Sequence, residues 1–547
     1  MRKPEFNDAG PLLEVRDLKI EGQSDDRWHD IVKGVSFDLQ RGEVLGLIGE
    51  SGAGKSTIGL ASMGYVRAGC RIKGGSIRYR GVDLVTAGDS EKRSIWGAEV
   101  AYVAQSAAAA FNPAHRLMEQ CEEPSVIHGE GNKERRLQDK IISLFKRLSL
   151  PSPETIGERY PHQLSGGQLQ RVMTAMAMSC HPGLLVFDEP TTALDVTTQI
   201  EVLATIKQIV RDFGVAAIYI THDLAVVSQV ADRIIVLRYG EVVEEAATTT
   251  MLTSPQAAYT RSLWAVRKLD KKEDPTSDVV LRIKNVNAGY GKALKVLNNI
   301  SLDVARGRTV AIVGESGSGK STLARTIMGL QPAFSGSLEF DGAALPLHFK
   351  KRSALLHRRI QMIYQSPDTA LNPRRRVSDI LSRPLKRHLG MGAEARRRRV
   401  AELMSMVELN ERLLERLPSE LSGGEKQRVC IARALAVEPE LIICDEVTSA
   451  LDQIVAEGVL KLLLRLQQQI GITYLFITHD LATVKAISDW IVVMHRGEIM
   501  EQGPKSKILT PPRHPYTELL FSSMPEMDPT WLPRVLQERQ AGIANRP

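Results

Sequence analysis

Two glycine-rich segments hold the residues best suited to chemistry. GESGAGKST at Gly49–Thr57 returns as GESGSGKST at Gly314–Thr322, each after a short apolar run. Glycines let successive backbone N–H groups curl around phosphate oxygens, and the following helix adds its positive end. In such a loop the lysine, Lys55 or Lys320, reaches the outer phosphates, and the next serine ligates Mg²⁺. The residues predicted to bind nucleotide are Gly49, Glu50, Ser51, Gly52, Ala53, Gly54, Lys55, Ser56 and Thr57, and Gly314, Glu315, Ser316, Gly317, Ser318, Gly319, Lys320, Ser321 and Thr322.

Two acidic pairs end apolar runs further along the chain. These pairs are Asp188–Glu189 and Asp445–Glu446. An aspartate at such a strand end is placed to hold Mg²⁺, directly or through water. Strand alternation would direct the next glutamate elsewhere, toward a water that it could activate as a general base. An acidic pair alone is more often a solvated strand end, but a phosphate loop in the same domain favours the catalytic interpretation.

The motifs recur as a set, which indicates a duplicated domain. LSGGQLQR at 164–171 returns as LSGGEKQR at 421–428, and THDLA at 221–225 returns at 478–482. The spacing from the serine of the first motif to the acidic pair, and from that pair to the histidine of the second, is the same in both copies. A set of motifs that recurs in the same order with the same spacing indicates an internal duplication, so we expect two copies of one domain.

Each copy has the pattern of an α/β domain. Short apolar runs without alternation suit strands that are buried on both faces of a mostly parallel sheet. We predict a first domain at 1–265, a charged linker at 266–278 and a second domain at 279–547, with helical subdomains at about 106–164 and 366–421. The predicted buried strands are Val44–Ile48, Leu184–Phe187, Ala216–Ile220, Val310–Val313, Leu441–Cys444 and Tyr474–Ile477.

The composition excludes several classes of protein. The 547 residues include 71 basic and 64 acidic side chains, a mild excess that permits an anionic partner without requiring one. The five cysteines are scattered, which argues against a zinc site, an iron–sulfur cluster or a disulfide framework and fits a reducing compartment. Neither a signal peptide nor a membrane-spanning run is expected, so the sequence predicts a cytoplasmic protein.

The order of motifs resembles the ATP-binding cassette (ABC) ATPases over nearly the whole chain, twice. The resemblance implies two tandem P-loop ABC ATPase domains, each with a mostly parallel sheet core, an antiparallel β part and a helical subdomain. It implies ATP and Mg²⁺ as cofactors and a head-to-tail sandwich, in which each ATP lies between one half's phosphate loop and the other half's LSGGQ-type signature.

The same resemblance assigns the site residues. The first site would join Lys55, Gln105, Asp188, Glu189 and His222 to Ser422, Gly423 and Gly424. The second would join Lys320, Gln365, Asp445, Glu446 and His479 to Ser165, Gly166 and Gly167. The expected catalytic residues are Glu189, Glu446, His222, His479, Gln105 and Gln365, and the expected Mg²⁺ ligands are Ser56, Gln105, Asp188, Ser321, Gln365 and Asp445.

The two halves differ most in the residue expected to stack on the adenine of ATP. Tyr290 ends the first strand of the second half, where related proteins stack an aromatic ring on adenine. Gly22 stands opposite Tyr290, so the first half lacks that ring, and Trp28 is either a substitute or a surface residue. Val447 replaces a proline and Glu425 a glutamine of the first half, and neither change removes a chemical group from a site.

Segments after each cassette indicate the subfamily. A Pro-Tyr-Thr tail at 512–520, a degraded copy at 254–263, and the Asn112-Pro113 and Asn372-Pro373 pairs resemble ATPase subunits of oligopeptide, dipeptide and nickel importers in fused form. The resemblance implies uptake of a small, peptide-like solute. It also implies two separate transmembrane permeases, an extracytoplasmic solute-binding protein, and a peripheral location on the cytoplasmic face of the inner membrane.

A soluble ABC translation factor is the main alternative. It would normally carry a long charged helical linker, whereas the predicted linker is short, and ABC proteins of DNA repair would show cysteine clusters or a coiled coil. The basic runs Arg374–Arg376 and Arg396–Arg399 are most simply solvated helix faces, or else contacts to anionic lipid. Nucleic acid is not an expected partner, because no aromatic residues alternate with these arginines.

Overall fold

The computed structural model divides the chain into two compact units. The structure describes residues 6, 7, 10–24, 27–130, 134–192, 194–265, 271, 273, 278–291, 294–449 and 451–544. The first unit comprises Met1–Trp264 together with Pro525–Pro547, and the second comprises Ala265–Met524. Of the predicted linker at 266–278, only Lys271, Glu273 and Asp278 lie among the described residues.

The first unit is an α/β domain. Its strands are Leu13–Ser24 (β1), Arg27–Leu39 (β2), Val44–Gly49 (β3), Cys70–Tyr79 (β4), Val82–Asp83 (β5), Val100–Val103 (β6), Leu184–Asp188 (β7), Ala216–Ile220 (β8), Arg233–Arg238 (β9) and Glu241–Ala247 (β10). Its helices before the second unit are Lys55–Ala61 (α1), Asp89–Ile95 (α2), Ala107–Ala110 (α3), Leu117–Ser125 (α4), Glu134–Arg147 (α5), Gly166–Ala177 (α6), Val196–Phe213 (α7), Leu224–Val230 (α8), Thr248–Thr253 (α9) and Ala258–Ala265 (α10).

The second unit repeats this architecture. Its strands are Val279–Tyr290 (β11), Leu294–Ala305 (β12), Thr309–Val313 (β13), Ala333–Phe340 (β14), Ala343–Ala344 (β15), Ile360–Ile363 (β16), Leu441–Asp445 (β17), Thr473–Ile477 (β18), Trp490–His495 (β19) and Glu498–Pro504 (β20). Its helices are Lys320–Ile327 (α11), Ala354–Arg359 (α12), Pro367–Ala370 (α13), Val377–Leu389 (α14), Ala393–Met406 (α15), Gly423–Leu435 (α16), Gln453–Ile470 (α17), Leu481–Ile487 (α18), Lys505–Leu509 (α19) and Pro515–Ser522 (α20).

Each unit is built on one six-stranded and one four-stranded sheet. The central sheets have the orders β10-β9-β3-β8-β7-β6 and β16-β17-β18-β13-β19-β20, parallel except for β10 and β20. The smaller sheets, β2-β1-β4-β5 and β12-β11-β14-β15, are antiparallel. Strands β7, β8, β13, β17 and β18 are buried at every residue, which explains why their sequences are apolar without alternation. The predicted α/β class and the six predicted buried strands are confirmed.

A helix at the end of the chain belongs to the first unit. Trp531–Ala544 (α21) buries Trp531 and Leu532, which are 1% and 0% exposed. The amide of Gln229, in α8, donates to the carbonyl oxygens of Glu526 and Asp528 at 2.7 and 3.0 Å. Leu532 N–H donates back to the Gln229 side-chain oxygen at 3.1 Å. The end of the chain therefore completes the first unit, an arrangement that the sequence did not indicate.

No helix in the described part of the chain combines the length and the apolar character that crossing a bilayer requires.

Candidate active sites

The strand order gathers the motifs at one edge of each central sheet. In the first unit the phosphate loop follows β3, the THD segment follows β8, the acidic pair ends β7 and Gln105 follows β6. These four strands are neighbours in the order β3-β8-β7-β6, so their carboxyl ends meet at the same edge. Ligands of open α/β sheets bind at this edge. The second unit repeats the arrangement with β13, β18, β17 and β16.

Both phosphate loops have the same internal geometry. Lys55 Nζ donates to the carbonyl oxygens of Gly49 and Glu50 at 2.7 and 2.9 Å, so the ammonium group lies within the curve of the loop. Lys320 makes the matching bonds at 2.9 and 2.7 Å. Gly49 has φ 155°, and a Cβ at this position would lie 2.2 Å from a carbonyl oxygen of β9. Glycine is therefore required where the strand turns into the loop.

A serine–aspartate pair stands beside each loop. Ser56 Oγ donates to Asp188 Oδ1 at 2.9 Å, and Ser321 Oγ donates to Asp445 Oδ1 at 3.0 Å. A hydroxyl and a carboxylate are hard oxygen donors of the kind that Mg²⁺ prefers. Burial raises the pKa of Asp445, and a cation beside this carboxylate would favour its ionised form. The residues present fit a magnesium ion.

The two aspartates differ in a partner that sequence reasoning missed. In the first unit, Tyr102 Oη donates to Asp188 Oδ2 at 2.6 Å. Tyr102 lies in β6, which is the neighbour of β7, three residues before Gln105. The matching residue of the second unit is Met362, which is 6% exposed and cannot donate a hydrogen bond to Asp445. The sequence could have indicated this contact, because Tyr102 stands near the end of the apolar run that precedes Gln105.

Glu189 is the centre of a hydrogen-bond network. Its carboxylate accepts from the Gln105 amide at 3.0 Å and the Thr192 hydroxyl at 3.0 Å, and it pairs with His222 Nδ1 at 3.1 Å. The strand ends at Asp188, and Glu189 itself has φ 48°. The left-handed turn, rather than continued strand alternation, therefore sets the direction of its side chain. A non-glycine residue in this conformation costs free energy, and such residues are enriched at functional sites.

Glu446 has a closely similar network in the second unit. Its φ is 50°, and its carboxylate accepts from the Gln365 amide at 2.8 Å. His479 Nδ1 lies farther away, 3.5 Å from the carboxylate, and its side chain is 39% exposed, against 27% for His222. The structure thus brings the predicted glutamine, glutamate and histidine together in each unit.

The charges of each glutamate and histidine stabilise one another. Burial opposes ionisation of Glu189, but its bonds to His222 and Thr192 and the charge of Lys55 lower its pKa overall. Burial also opposes protonation of His222, and Glu189 outweighs it and raises the histidine pKa. In the second unit the bond to His479 is the largest effect that lowers the pKa of Glu446. The glutamates are therefore held ionised, as a general base requires.

The signature serines begin helices on the surface of each unit. Ser165 caps α6 and accepts from the Gln168 N–H, while the Gln168 side chain accepts from the Ser165 N–H. Ser422 and Glu425 repeat this capping box in α16. The exchange of glutamine for glutamate therefore preserves the helix start.

The neighbouring glycines are fixed by packing. A Cβ on Gly167 would lie 1.9 Å from the Thr198 side chain of α7, and one on Gly424 would lie 2.5 Å from Val455 of α17. Gly166 and Gly423 are exposed beside their serines. Each signature thus presents a serine and a glycine to solvent on a tightly packed helix start.

The aromatic residues near the two loops are placed differently. Tyr290 is 42% exposed, and its hydroxyl lies 3.5 Å from Thr322 Oγ1 in the second phosphate loop. Trp28 of the first unit is 39% exposed, and the Arg71 guanidinium covers its ring at 4.0 Å. Tyr290 therefore lies beside a phosphate loop, whereas the observed contact of Trp28 is with an arginine of the smaller sheet.

The Pro-Tyr-Thr tail also reaches its phosphate loop. Tyr516 Oη accepts from the Glu315 N–H at 3.3 Å, and its ring packs on His495 with centroids 4.1 Å apart. In the first unit, burial and the negative charge of Glu50 raise the pKa of Tyr259. Each tail tyrosine thus lies near the second residue of a loop.

These folds and sites define an ATPase of the cassette type. The family model described as ABC transporter matches residues 32–192 and 297–449, which together are more than half of the chain, so the chain belongs to the ABC transporter family. Residues 500–546 match the model described as Oligopeptide/dipeptide transporter, C-terminal region. The predicted family and ATPase activity are confirmed.

Curated relatives align over almost the whole length. The chain is 36% identical to the Glutathione import ATP-binding protein GsiA of Shigella dysenteriae serotype 1 (strain Sd197), over 96% of this chain and 91% of the relative. The protein of the same name from Escherichia coli (strain K12) gives the same identity and coverage. The solved structure of cbiO1 from Clostridium perfringens, part of the ABC transporter complex cbiONQ, is 30% identical, with a TM-score of 0.40 over 43% of this chain and 91% of its own.

Proposed function

We propose that the chain is the ATP-hydrolysing subunit of an importer, with Mg²⁺-dependent hydrolysis at two composite sites. The observation that carries the proposal is a duplicated network beside each phosphate loop. The Glu189 carboxylate is held between Gln105 and His222, and the Glu446 carboxylate of the second unit lies between Gln365 and His479. Each site would be completed by the signature of the other half: Ser422 and Gly423 for the loop of Lys55, and Ser165 and Gly166 for the loop of Lys320.

The residues have separate tasks in this scheme. The loop N–H groups and the lysine would hold the phosphates of ATP, and the serine and aspartate would hold Mg²⁺, which neutralises charge between the β- and γ-phosphates. The glutamate would accept a proton from the attacking water, and the histidine, through its bond to the same carboxylate, would fix its orientation. The glutamine would report occupancy of the site to the partner subunits.

The proposed partners are two transmembrane permeases and an extracytoplasmic solute-binding protein. Peripheral association with the cytoplasmic face of the inner membrane follows from this role. The importer family of the C-terminal region and the names of the curated relatives support a peptide-like solute, with glutathione as the first candidate.

Uptake into cells would test the proposal. Cells that lack this gene should lose uptake of labelled glutathione or of a labelled dipeptide, and the wild-type gene should restore it. A Lys55→Ala, Lys320→Ala double variant, expressed at the same level, should not restore uptake. Unchanged uptake of both solutes in the deletion strain, together with co-purification of the wild-type protein with ribosomes, would contradict the proposed function.

A further inference from the structure

A large cavity lies at the edge of the second unit's central sheet that is opposite the ATP site. Its volume is about 1130 Å³, and residues of β11, β12, β13, β19 and β20 line it. Trp490 is the first residue of β19 and Val310 the second of β13, whereas the phosphate loop follows the end of β13. Sites for small organic molecules commonly have volumes of about 300–1,000 Å³. The cavity is therefore large enough for such a molecule and is separate from the phosphate loop.

Two neighbouring residues give the cavity its chemical character. The Trp490 indole is 37% exposed, so it offers an aromatic surface for stacking. Asp489 is 7% exposed, and its Oδ2 accepts from the Thr309 N–H at 2.8 Å. Its Oδ1 is buried and has no hydrogen-bond partner in the part of the chain that the structure describes. A buried acceptor without a donor is costly, so a ligand that supplies the donor would be favoured.

The negative charge of Asp489 is already compensated. Lys271 Nζ lies 2.5 Å from Asp489 Oδ2. Burial lowers the pKa of Lys271, the charge of Asp489 opposes this effect, and the charges of Arg308 and Lys505 add to it. Several cations thus lie near one carboxylate, and they would repel a further cation. The unpaired oxygen therefore favours a neutral N–H donor over a charged one.

Ion pairs fill the matching place in the first unit. Arg233, which matches Trp490, pairs with Glu43 at 2.9 Å and also with Glu245, and its guanidinium donates to the Asp38 carbonyl oxygen. The cavity there has a volume of about 520 Å³, and most of the residues that line it are charged. An arginine between two glutamates needs no ligand to satisfy it.

The second unit cannot form this network. Counted from the phosphate loops and the THD motifs, the residues that match Glu43, Arg233 and Glu245 are Arg308, Trp490 and Gln502. Gln502 instead donates to the Ser301 carbonyl oxygen at 3.3 Å. All three ion-paired positions thus differ, and the result is a larger cavity with an indole in its wall. This contrast favours a ligand site over a chance gap in packing.

We propose that this cavity binds a neutral, planar heteroaromatic molecule with an N–H donor, such as a purine base. Its ring would stack on Trp490, and its N–H would donate to Asp489 Oδ1. The Trp490 cavity is defined by Ile283, Leu302, Arg308, Asp489, Trp490 and Gln502. The proposal is independent of the importer function, because these residues lie away from the sheet edge where ATP is expected.

Fluorine NMR would locate the ligand. The chain contains five tryptophans, and the full-length protein labelled with 5-fluorotryptophan should give a signal for each, with Trp490 assigned by Trp490→Phe. Mg²⁺ and a saturating non-hydrolysable ATP analogue would occupy the ATP sites. Benzimidazole, a neutral planar ring with an N–H at mildly alkaline pH, should then move the Trp490 signal and leave the other tryptophan signals in place. An unmoved Trp490 signal would overturn the proposal.

A methylated compound would test the hydrogen bond. 1-Methylbenzimidazole has nearly the same shape as benzimidazole but lacks the N–H, so it should bind about tenfold more weakly. In Asp489→Asn the amide oxygen can still accept from the Thr309 N–H, while an NH₂ group replaces the unpaired oxygen. Benzimidazole should therefore lose its advantage over the methylated compound in this variant. Equal binding of the two compounds to the wild-type protein, or an unchanged preference in Asp489→Asn, would overturn the role of Asp489 and with it the proposed ligand class.

Residues of the first unit supply a matched variant that closes the cavity. Arg308→Glu, Trp490→Arg and Gln502→Glu together restore the ion pairs of the first unit and should abolish benzimidazole binding, measured by saturation-transfer NMR, with ATPase activity unchanged. Leu519→Arg, at a residue 41% exposed on α20, is the control and should bind benzimidazole as the wild-type protein does. Undiminished binding in a triple variant that still hydrolyses ATP would refute the site, and the measurements on Asp489→Asn decide the matter if the triple variant does not fold.

Discussion

The two ATP sites of this chain share the groups expected to meet the phosphates and the attacking water, and they differ in what supports those groups. In both sites the lysine lies within the phosphate loop, and a serine hydroxyl donates a hydrogen bond to the aspartate. In both, a glutamine amide donates to the glutamate, which lies near a histidine. Among the described residues, a tyrosine donates a hydrogen bond to the aspartate in the first site alone, and the glutamate–histidine distance is shorter there. In the second site, the Tyr290 hydroxyl lies beside Thr322 of the phosphate loop.

The two halves therefore share the groups that we propose carry out the chemical step, whereas the supporting contacts differ. A change in a reacting group removes a step, whereas a change in a supporting contact alters affinity or protonation by a smaller factor. The two sites should therefore both hydrolyse ATP, with unequal requirements for Mg²⁺ and pH. Four changes test this comparison and the wider comparison of the two units, beginning with the largest expected effect.

Removal of both glutamates should nearly abolish turnover. The Glu189→Gln, Glu446→Gln double variant should lose ATPase activity by about 10²–10⁴-fold, because the general base is lost at both sites. Each single variant should keep part of the activity, and unequal losses would measure how far the sites differ. Nucleotide binding, followed with a fluorescent ATP analogue, should remain. Undiminished turnover in the double variant would refute the role of these glutamates.

The end of the chain should stabilise the first unit and not the second. Trp531→Ala should cost about 3–5 kcal/mol of the free energy of unfolding, because the side chain is 1% exposed and its loss leaves a cavity. Trp490→Ala, at a residue of the second unit that is 37% exposed, is the control and should cost clearly less than Trp531→Ala. Denaturation followed by hydrogen exchange would show which unit loses stability in Trp531→Ala. Equal losses of stability in the two units would contradict the assignment of α21 to the first unit.

Loss of the Tyr102 hydroxyl should weaken metal binding at the first site alone. In a Glu446→Gln background, Tyr102→Phe should raise the Mg²⁺ concentration for half-maximal activity by about tenfold, because the bond to Asp188 positions a ligand of the metal. Mn²⁺ binding by electron paramagnetic resonance should weaken similarly. Tyr364→Phe, at a tyrosine 40% exposed, is the control. An unchanged Mg²⁺ requirement in Tyr102→Phe would remove this distinction between the sites.

The smallest expected effect is on histidine protonation. The pKa of His222 should lie above its ordinary 6.5, and Glu189→Gln should lower it, because burial and the charge of Lys55 are then opposed only by the charge of Asp223. The Glu189–His222 pair should stabilise the fold most between about pH 4.5 and pH 6.5. The stabilisation is lost as the pH falls through the lowered pKa of Glu189, and it is lost as the pH rises through the raised pKa of His222. Selective ¹³C-histidine spectra across pH would measure it, and a His222 pKa unmoved by Glu189→Gln would contradict the pairing.

Much of this framework could be predicted because phosphate loops and buried strands are local features. The glycines, the apolar runs and the acidic pairs are each readable within a few residues, and the repeat fixes their order. The Tyr102–Asp188 bond depends on which strands are neighbours. The docking of α21 depends on the burial of Trp531 and Leu532 and on a buried amide, Gln229, far away in the sequence. The left-handed turn at Glu189 depends on the whole strand edge, so no local pattern indicated it.

The proposed composite sites can be tested by pairing a damaged signature with a damaged loop. Ser422→Arg places a large cation at the start of α16, and in the proposed arrangement it should impair the site built on Lys55. ATPase activity should therefore be almost abolished when Ser422→Arg is added to Lys320→Ala, and it should change little when it is added to Lys55→Ala. If closure requires both sites together, both double variants would be inactive, and nucleotide crosslinking at each loop would replace the assay. The reverse pattern, with Ser422→Arg harmless in Lys320→Ala and lethal in Lys55→Ala, would show that each half completes its own site and would contradict the account.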